Sequence, residues 1–245
     1  MSDMLCVIMP KPSIVWLNFL NTFKVMPVYI VIDNNIDYTQ EKLKYPTIHF
    51  IQIDTNTCMK NGFQRLTMFD QKTPVSGWDK AIFYFSSLFP DTFKSIWFVE
   101  DDVFFKDERT LLNINNTYND QDLLSSPIGI NKDGNLRNWH WTRINIKSSP
   151  PYYFGMMCAI RGSFSLLKGI AKYADQNKTL YFLEALFPTI CKHSNLNHQS
   201  IPELESIVYR HIWNCNTINP RNLYHPVKNM NDHTSIRKFI KDNHS

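Results

Sequence analysis

A chain of 245 residues, 43% hydrophobic, 14% aromatic and 20% charged, carries enough apolar material for a packed core, which excludes a disordered or fibrous protein. The net charge of +4 comes from scattered lysines and arginines without the basic run of a nucleic-acid arm, so no nucleic-acid partner is expected, while an anionic small ligand suits the balance. Five cysteines without paired spacing fit reduced thiols; with no signal peptide and no apolar run of membrane-spanning length, the expectation is one soluble cytoplasmic α/β domain over residues 1–245.

In chain order, Leu5 to Met9 reads as a buried strand closed by Pro10-Lys11-Pro12, and Ser13 caps a helix reaching about Lys24. Val28 to Ile32 is a second buried strand ending at Asp33-Asn34-Asn35. Strand, helix and strand within about thirty residues make a parallel crossover unit. A third strand is expected over 48–53, and residues 56–73 are ambiguous between helix and loop. Ser76-Gly77-Trp78-Asp79 fits a capping box opening an apolar helix through Leu88, which Pro90 stops. The apolar run Ser95 to Val99 is the next strand. A mostly parallel central sheet flanked by helices follows from this order, with polar turns gathering at its carboxyl edge.

Farther on, a weak helix is expected over 107–113 and a strand over 122–126. A polar loop, 129–150, holds Trp139-His140-Trp141 and is long enough to suggest a function. A strand over 152–160 and helices over 163–174, 179–191 and, more weakly, 203–213 complete the reading. Residues 229–245 read as a loosely held polar tail. Asn115 and Asn177 match the glycosylation acceptor pattern but are read as inert without a secretory signal.

The strand at Ser95 to Val99 runs into Glu100-Asp101-Asp102 before Val103-Phe104-Phe105 resumes the apolar run. Burying an unpaired carboxylate costs several kcal/mol by order of magnitude, so three in succession imply exposure, a cap or a bound cation. On an extended segment Glu100 and Asp102 would share one face, where they could hold Mg²⁺ or Mn²⁺ through hard oxygen ligands. The alternative is a solvated turn or a helix cap. With only 7 glycines and no glycine-rich phosphate loop, any phosphate has to be held by such a cation or by basic side chains.

His225-Pro226-Val227-Lys228 offers an imidazole ligand and a point charge for phosphate, or only a surface loop. Glu184 is the only charged side chain between Lys178 and Lys192. Partial burial there would tune it as a general base, though a wet helix face is the equal alternative; Pro188 removes one helical amide and could kink or stop that helix. Trp139, His140 and Trp141, flanked by Arg137 and Arg143, could present flat faces and donors to a sugar, as an acceptor site, or to a base, or anchor their loop. Asp79 reads as a cap and Lys80 as a solvated first-turn residue, unless either faces the carboxylates. Cys191 with His193 and His211 with Cys215 lack the two-pair spacing of a zinc site and read as structural.

With Phe98-Val99-Glu100-Asp101-Asp102-Val103, the early strand Val28 to Asp33 and the late His225-Pro226-Val227-Lys228, the chain resembles the GT-A-fold glycosyltransferases over most of residues 4–228. The resemblance implies a GT-A-like single domain in which an Asp-Xxx-Asp motif binds Mn²⁺ or Mg²⁺ with the donor diphosphate. Here Glu100 replaces the first aspartate, so Asp102 and His225 would be the metal ligands with Glu100 as a further one. Asp33 and Pro10 would receive the nucleoside, Lys80, Asp101 and Lys228 would contact the donor, and Glu184 would be the base of an inverting transfer. The partners so implied are a UDP- or GDP-linked sugar and a glycan, glycoprotein or other hydroxyl acceptor. Small size and an Asn, Ile and Lys-rich composition are similar to the compact transferases of giant DNA viruses and low-GC microbes, which would place the protein in a host cytoplasm if viral. A nucleotidyltransferase and an inactive carbohydrate-binding scaffold of the same fold are the rival readings.

Overall fold

The apolar runs assemble into one seven-stranded sheet in the computed structural model, which describes residues 2–67, 74–90 and 92–243. The strands are β1 (Asp3–Met9), β2 (Val28–Ile32), β3 (Ile48–Ile51), β4 (Ser95–Glu100), β5 (Leu123–Ser125), β6 (Gly129–Asn131), β7 (Tyr152–Phe154), β8 (Ala159–Ser163) and β9 (His198–Ser200). In the main sheet they lie in the order β3-β2-β1-β4-β8-β5-β9, and β6 and β7 form a separate antiparallel pair. Strands β3, β2, β1 and β4 run parallel, and β8 alone runs against its neighbours. The expected α/β architecture with a mostly parallel sheet is present.

Helices α1 (Ile14–Leu20), α2 (Thr39–Lys44), α3 (Thr55–Lys60), α4 (Gly77–Phe83), α5 (Glu108–Thr117), α6 (Phe164–Asn177), α7 (Leu183–His193) and α8 (Met230–Asn243) surround it. Strand side chains alternate between faces. Cys6, Ile8, Ile96 and Phe98 therefore pack with α4, α6 and α7, whereas Leu5, Val7, Met9, Trp97 and Val99 pack with α1 and α5. The same alternation carries Glu100, two residues past Phe98, toward the α4 and α7 face. Among the described residues no helix is long and apolar enough to cross a membrane.

Helix starts follow the sequence closely. Ser13 caps α1 by accepting from Trp16 N, Asp107 caps α5 by accepting from Thr110 N, and Ser163 caps α6 by accepting from Leu166 N. Ser76 and Asp79 form the expected capping box, and α4 continues into a π-helical turn, Tyr84–Leu88, before Pro90.

Several expectations need correction. The 152–160 strand is broken into β7 and β8, because residues 155–158 turn away from the ladder between them. No helix spans 203–213; a short 3₁₀ turn, Pro202–Leu204, is followed by irregular chain. The polar tail is α8, which buries His233, Ile236 and Ile240 at spacings of three and four residues. The ambiguous 56–73 stretch begins within α3, and residues 68–73 lie outside the described residues. Helix α7 starts at Leu183 and runs through Pro188 to His193. The carbonyl of Glu184, deprived of its helical donor by Pro188, accepts from Gly155 N at 3.0 Å instead. Asn115 is buried, accepting from Trp97 Nε1 and Arg161 Nη1, so no glycan reaches it in the folded chain.

Candidate functional site

Parallel pairing of β2, β1 and β4 brings their carboxyl ends to one edge of the sheet, where Asp33, Pro10 and Glu100 emerge together. The first turn of α4 reaches the same edge. Its Gly77 is required there, since a Cβ would come within 2.7 Å of Ile8 Cγ2 and 3.5 Å of Asp33 Cβ. Trp78 Nε1 donates to Glu100 Oε1 at 2.7 Å, with its ring packed against Phe98 and Phe187. Lys80, buried, pairs with Asp33 Oδ1 at 2.8 Å. One helical turn thus fixes both the carboxylate of β4 and the aspartate after β2. Lys80 is no solvated residue, and Asp79 is spent on its cap: its carboxylate accepts from Ser76 N, Ser76 Oγ and Leu66 N. Burial pushes Asp79 up to about 6 despite those bonds.

The triplet is not extended, contrary to expectation. Val103 N donates to the Glu100 carbonyl at 3.1 Å, closing a turn, and Trp16 Nε1 donates to the Asp101 carbonyl at 2.8 Å. The apolar run Val103 to Phe105 does not rejoin β4; Phe104 pairs with Tyr224 in an antiparallel bridge. That bridge delivers His225. Asp102 seals it, its carbonyl accepting from Val227 N at 2.6 Å.

His225 Nδ1 lies 2.7 Å from the Val208 carbonyl, and since a carbonyl only accepts, this nitrogen carries the proton. In the neutral ring Nε2 then presents its lone pair, 3.4 Å from Asp102 Oδ1. Asp102 Oδ1 is buried, and beside a neutral His225 it has no donor; only a protonated ring could donate to it, across 3.4 Å. Burial lowers the His225 pKa, but the facing Asp102 carboxylate outweighs it and the net shift is upward. Glu100 is raised, first by burial and then by Asp102, while the Trp78 bond opposes. Asp101 is pushed up to about 6 by burial and by Asp102. Carboxylates that repel one another and an acceptor with no donor are what a cation would satisfy, so these residues fit one.

Glu184, in the first turn of α7, is close enough to Glu100 and His225 to feel their charges. It is pushed up to about 7 by burial, then by the charge of Glu100, with His225 opposing. The Glu184 residue is half-buried. Pro10 and Asn34 close the turn after β2, the Asn34 amide bonding the Pro10 carbonyl, and Gln52 Nε2 ties the carbonyls of Asn34 and Ile36. Lys228 is exposed and borders a cleft of about 510 Å³ with Tyr209, Trp213 and Asp232. A second cleft, about 390 Å³, is lined by Arg65, Arg143, Tyr181 and Phe182 and ends two residues before Glu184.

The aromatic triplet divides. Trp141 is buried against Tyr152 and Phe154, so it anchors its loop and is withdrawn from any acceptor. Trp139 and His140 are half-buried with their rings against Phe182, which lines the second cleft; neither lines the cleft itself.

Two residues of the site were not singled out from sequence. Trp78 lay inside the capping box, where only its place in the first turn at the strand edge hinted at a role. Cys158, read as an ordinary reduced thiol, is held opposite Glu100: Glu100 N donates to the Cys158 carbonyl at 2.9 Å, and the thiol bonds the Glu100 carboxylate. Nothing in its spacing announces this, because it depends on the antiparallel register of β4 and β8.

No protein-family model matches the chain, and no curated protein sequence matches it. Among solved structures, it is similar to 4-diphosphocytidyl-2C-methyl-D-erythritol synthase from Anaerococcus prevotii, at 8% identity over 98% of this chain and 96% of that one, with a TM-score of 0.49. It is also similar to mouse xyloside xylosyltransferase 1 in its apo form, at 12% identity over 81% of this chain and 85% of that one, with a TM-score of 0.40. At these identities the likeness concerns the fold alone.

Proposed function

We propose that this protein is a GT-A-type glycosyltransferase that moves a sugar from a nucleoside diphosphate donor to a hydroxyl acceptor, with inversion at the anomeric carbon. One observation carries the reading: Glu100, Asp102, His225 and Glu184, from three distant segments, converge at the carboxyl edge of a mostly parallel sheet with an unsatisfied acceptor among them.

Asp102, His225 and Glu100 would hold Mn²⁺ or Mg²⁺, with Trp78 orienting Glu100 and the Val208 carbonyl orienting His225. When bound, such a cation offsets the charge that gathers on the departing diphosphate. Asp33, steadied by Lys80, and Pro10 border the place for base and ribose. Asp101 is the neighbour for the ribose or donor sugar, and exposed Lys228 meets a phosphate. Glu184 takes the proton of the acceptor hydroxyl while that oxygen bonds to the anomeric carbon and the bond from carbon to diphosphate oxygen breaks. One displacement inverts the centre. A carboxylate poised at about 7 is matched to proton abstraction near neutrality.

A nucleotidyltransferase would use similar carboxylates, but it would call for a glycine-rich basic loop after β1, and Met9 to Ser13 contains no glycine. The direct test is release of UDP or GDP from a panel of nucleotide sugars with Mn²⁺ and a mixture of hydroxyl acceptors, with product configuration read by NMR. Glu184→Gln is expected to slow transfer roughly 100- to 10,000-fold. Full activity of that variant removes the base role, and full activity of Asp102→Ala removes the cation role.

A further inference from the structure

The cation site has a sulfur ligand available. Cys158 Sγ, a Glu100 carboxylate oxygen and a His225 ring nitrogen all lie within 4.8 Å of one another, against the roughly 3.3–3.8 Å between ligands that share one tetrahedral cation at bonds of about 2.0–2.3 Å. Three further observations aim this cluster at one point. His225 Nδ1 is taken by the Val208 carbonyl, so the nitrogen left for a ligand is Nε2. Asp102 Oδ1 stands 3.4 Å from that nitrogen, buried and without a donor. Glu100 is fixed by Trp78, and Cys158 by the backbone bond from Glu100, so neither depends on a mobile segment.

Oxygen-only sites suit Mg²⁺, whereas a thiolate beside an imidazole suits borderline and softer cations such as Zn²⁺ and Co²⁺. We propose that Cys158 is a ligand at this edge, so that the site takes a thiophilic divalent cation through Cys158 Sγ, His225 and Glu100, with Asp102 beside the imidazole, and not only the hard cation that carboxylates alone would select. The inference rests on the cation reading of Glu100, Asp102 and His225. Binding exchanges the thiol proton for the metal: the S–H bond breaks, the sulfur lone pair bonds the cation, and one proton leaves to solvent. No oxidant or reductant takes part.

Cobalt reports this without any turnover. Titration of the full chain with Co²⁺ is expected to give one bound equivalent with a near-ultraviolet sulfur-to-cobalt charge-transfer band, absent in Cys158→Ser and in Cys158→Ala. The band should persist in Cys215→Ser, the variant of the half-exposed thiol. Zn²⁺ affinity, read by chelator competition, should fall roughly tenfold or more in the Cys158 variants while Mn²⁺ and Mg²⁺ affinities hardly change. One cobalt bound to wild type without the band overturns the role of Cys158 and leaves the cation site standing. No cobalt bound at all overturns the role of Cys158, and the Mn²⁺-dependent transfer assay then decides the cation site separately. A band lost equally in Cys215→Ser would place the sulfur elsewhere and overturn the proposal.

Discussion

Glu184 is the residue whose protonation is most informative, because its folded-state value of about 7 stands above its ordinary 4.5, chiefly through burial and secondly through Glu100. For a group raised on folding, the stabilising contribution is whole below the ordinary value and is lost as pH rises through the folded one. Between 4.5 and about 7 the wild-type fold therefore gives up stability as Glu184 ionises. Glu184→Gln, which keeps the shape and cannot ionise, should melt higher than wild type at about pH 8 and together with it at about pH 4.5. Coincident melting curves at the higher pH would mean a solvated carboxylate, unsuited to a tuned base. Trp78 offers a cleaner separation of packing from polarity. Trp78→Phe retains an aromatic ring against Phe98 and Phe187 but loses the donor to Glu100, and is expected to weaken cation binding roughly 10- to 100-fold with little change in melting temperature. Isothermal titration with Mn²⁺ measures it. The carboxylates and His225 were legible as candidates because charged groups interrupting apolar runs stand out. Trp78 and Cys158 were not, since an aromatic ring in a helix and a thiol near a strand are ordinary core residues until pairing register puts them beside a carboxylate.

Among the elements, α8 departs furthest from its sequence appearance. Its exposed face is polar enough to read as tail, yet His233 donates through Nε2 to the Val227 carbonyl, and Arg237 donates to the Phe105 carbonyl while lying 3.5 Å from the Phe19 ring centre. Burial pushes His233 down to about 4 and Arg237 down to about 9. The helix thus clamps the two segments, Val103 to Phe105 and Tyr224 to Val227, that place Asp102 and His225. Ile236→Ala should cost roughly 2–5 kcal/mol of stability in chemical denaturation. It should also lower the affinity for Mn²⁺, although Ile236 lies in the apolar cluster with Phe104 and Tyr224 and not among the candidate ligands. A loss of stability with unchanged affinity would mean that α8 covers the fold without positioning the site. Helix α4 is the opposite case. Its capping box, its stop before Pro90 and its apolar body were all readable, because each depends on neighbours within four residues.

At the scale of the molecule, the cluster of Glu100, Asp101, Asp102 and Glu184 holds like charges against one another in a partly buried edge, a cost that a bound cation removes. If the cation reading holds, Mn²⁺ at a hundredfold excess over its dissociation constant would contribute about 2.7 kcal/mol, expected for a chain of this length to raise the melting temperature by about 5–10 °C. EDTA should reverse the shift and Asp102→Ala should abolish it; a thermal-shift curve indifferent to Mn²⁺ would remove the cation from the account. What the sequence determined by itself was local: strands from continuous apolar runs, helix starts from Ser and Asp caps, and a carboxylate triplet too costly to leave unexplained. Those features need only a few neighbouring residues to act. What the tertiary structure decided was which distant segments share the edge: Trp78 and Cys158 beside Glu100, Lys80 on Asp33, Glu184 turned inward from α7, and a polar tail folded into the helix that holds His225. These follow from strand order, the antiparallel register of β8 and the burial of one face of α8, which are long-range packing choices that no short stretch of sequence specifies.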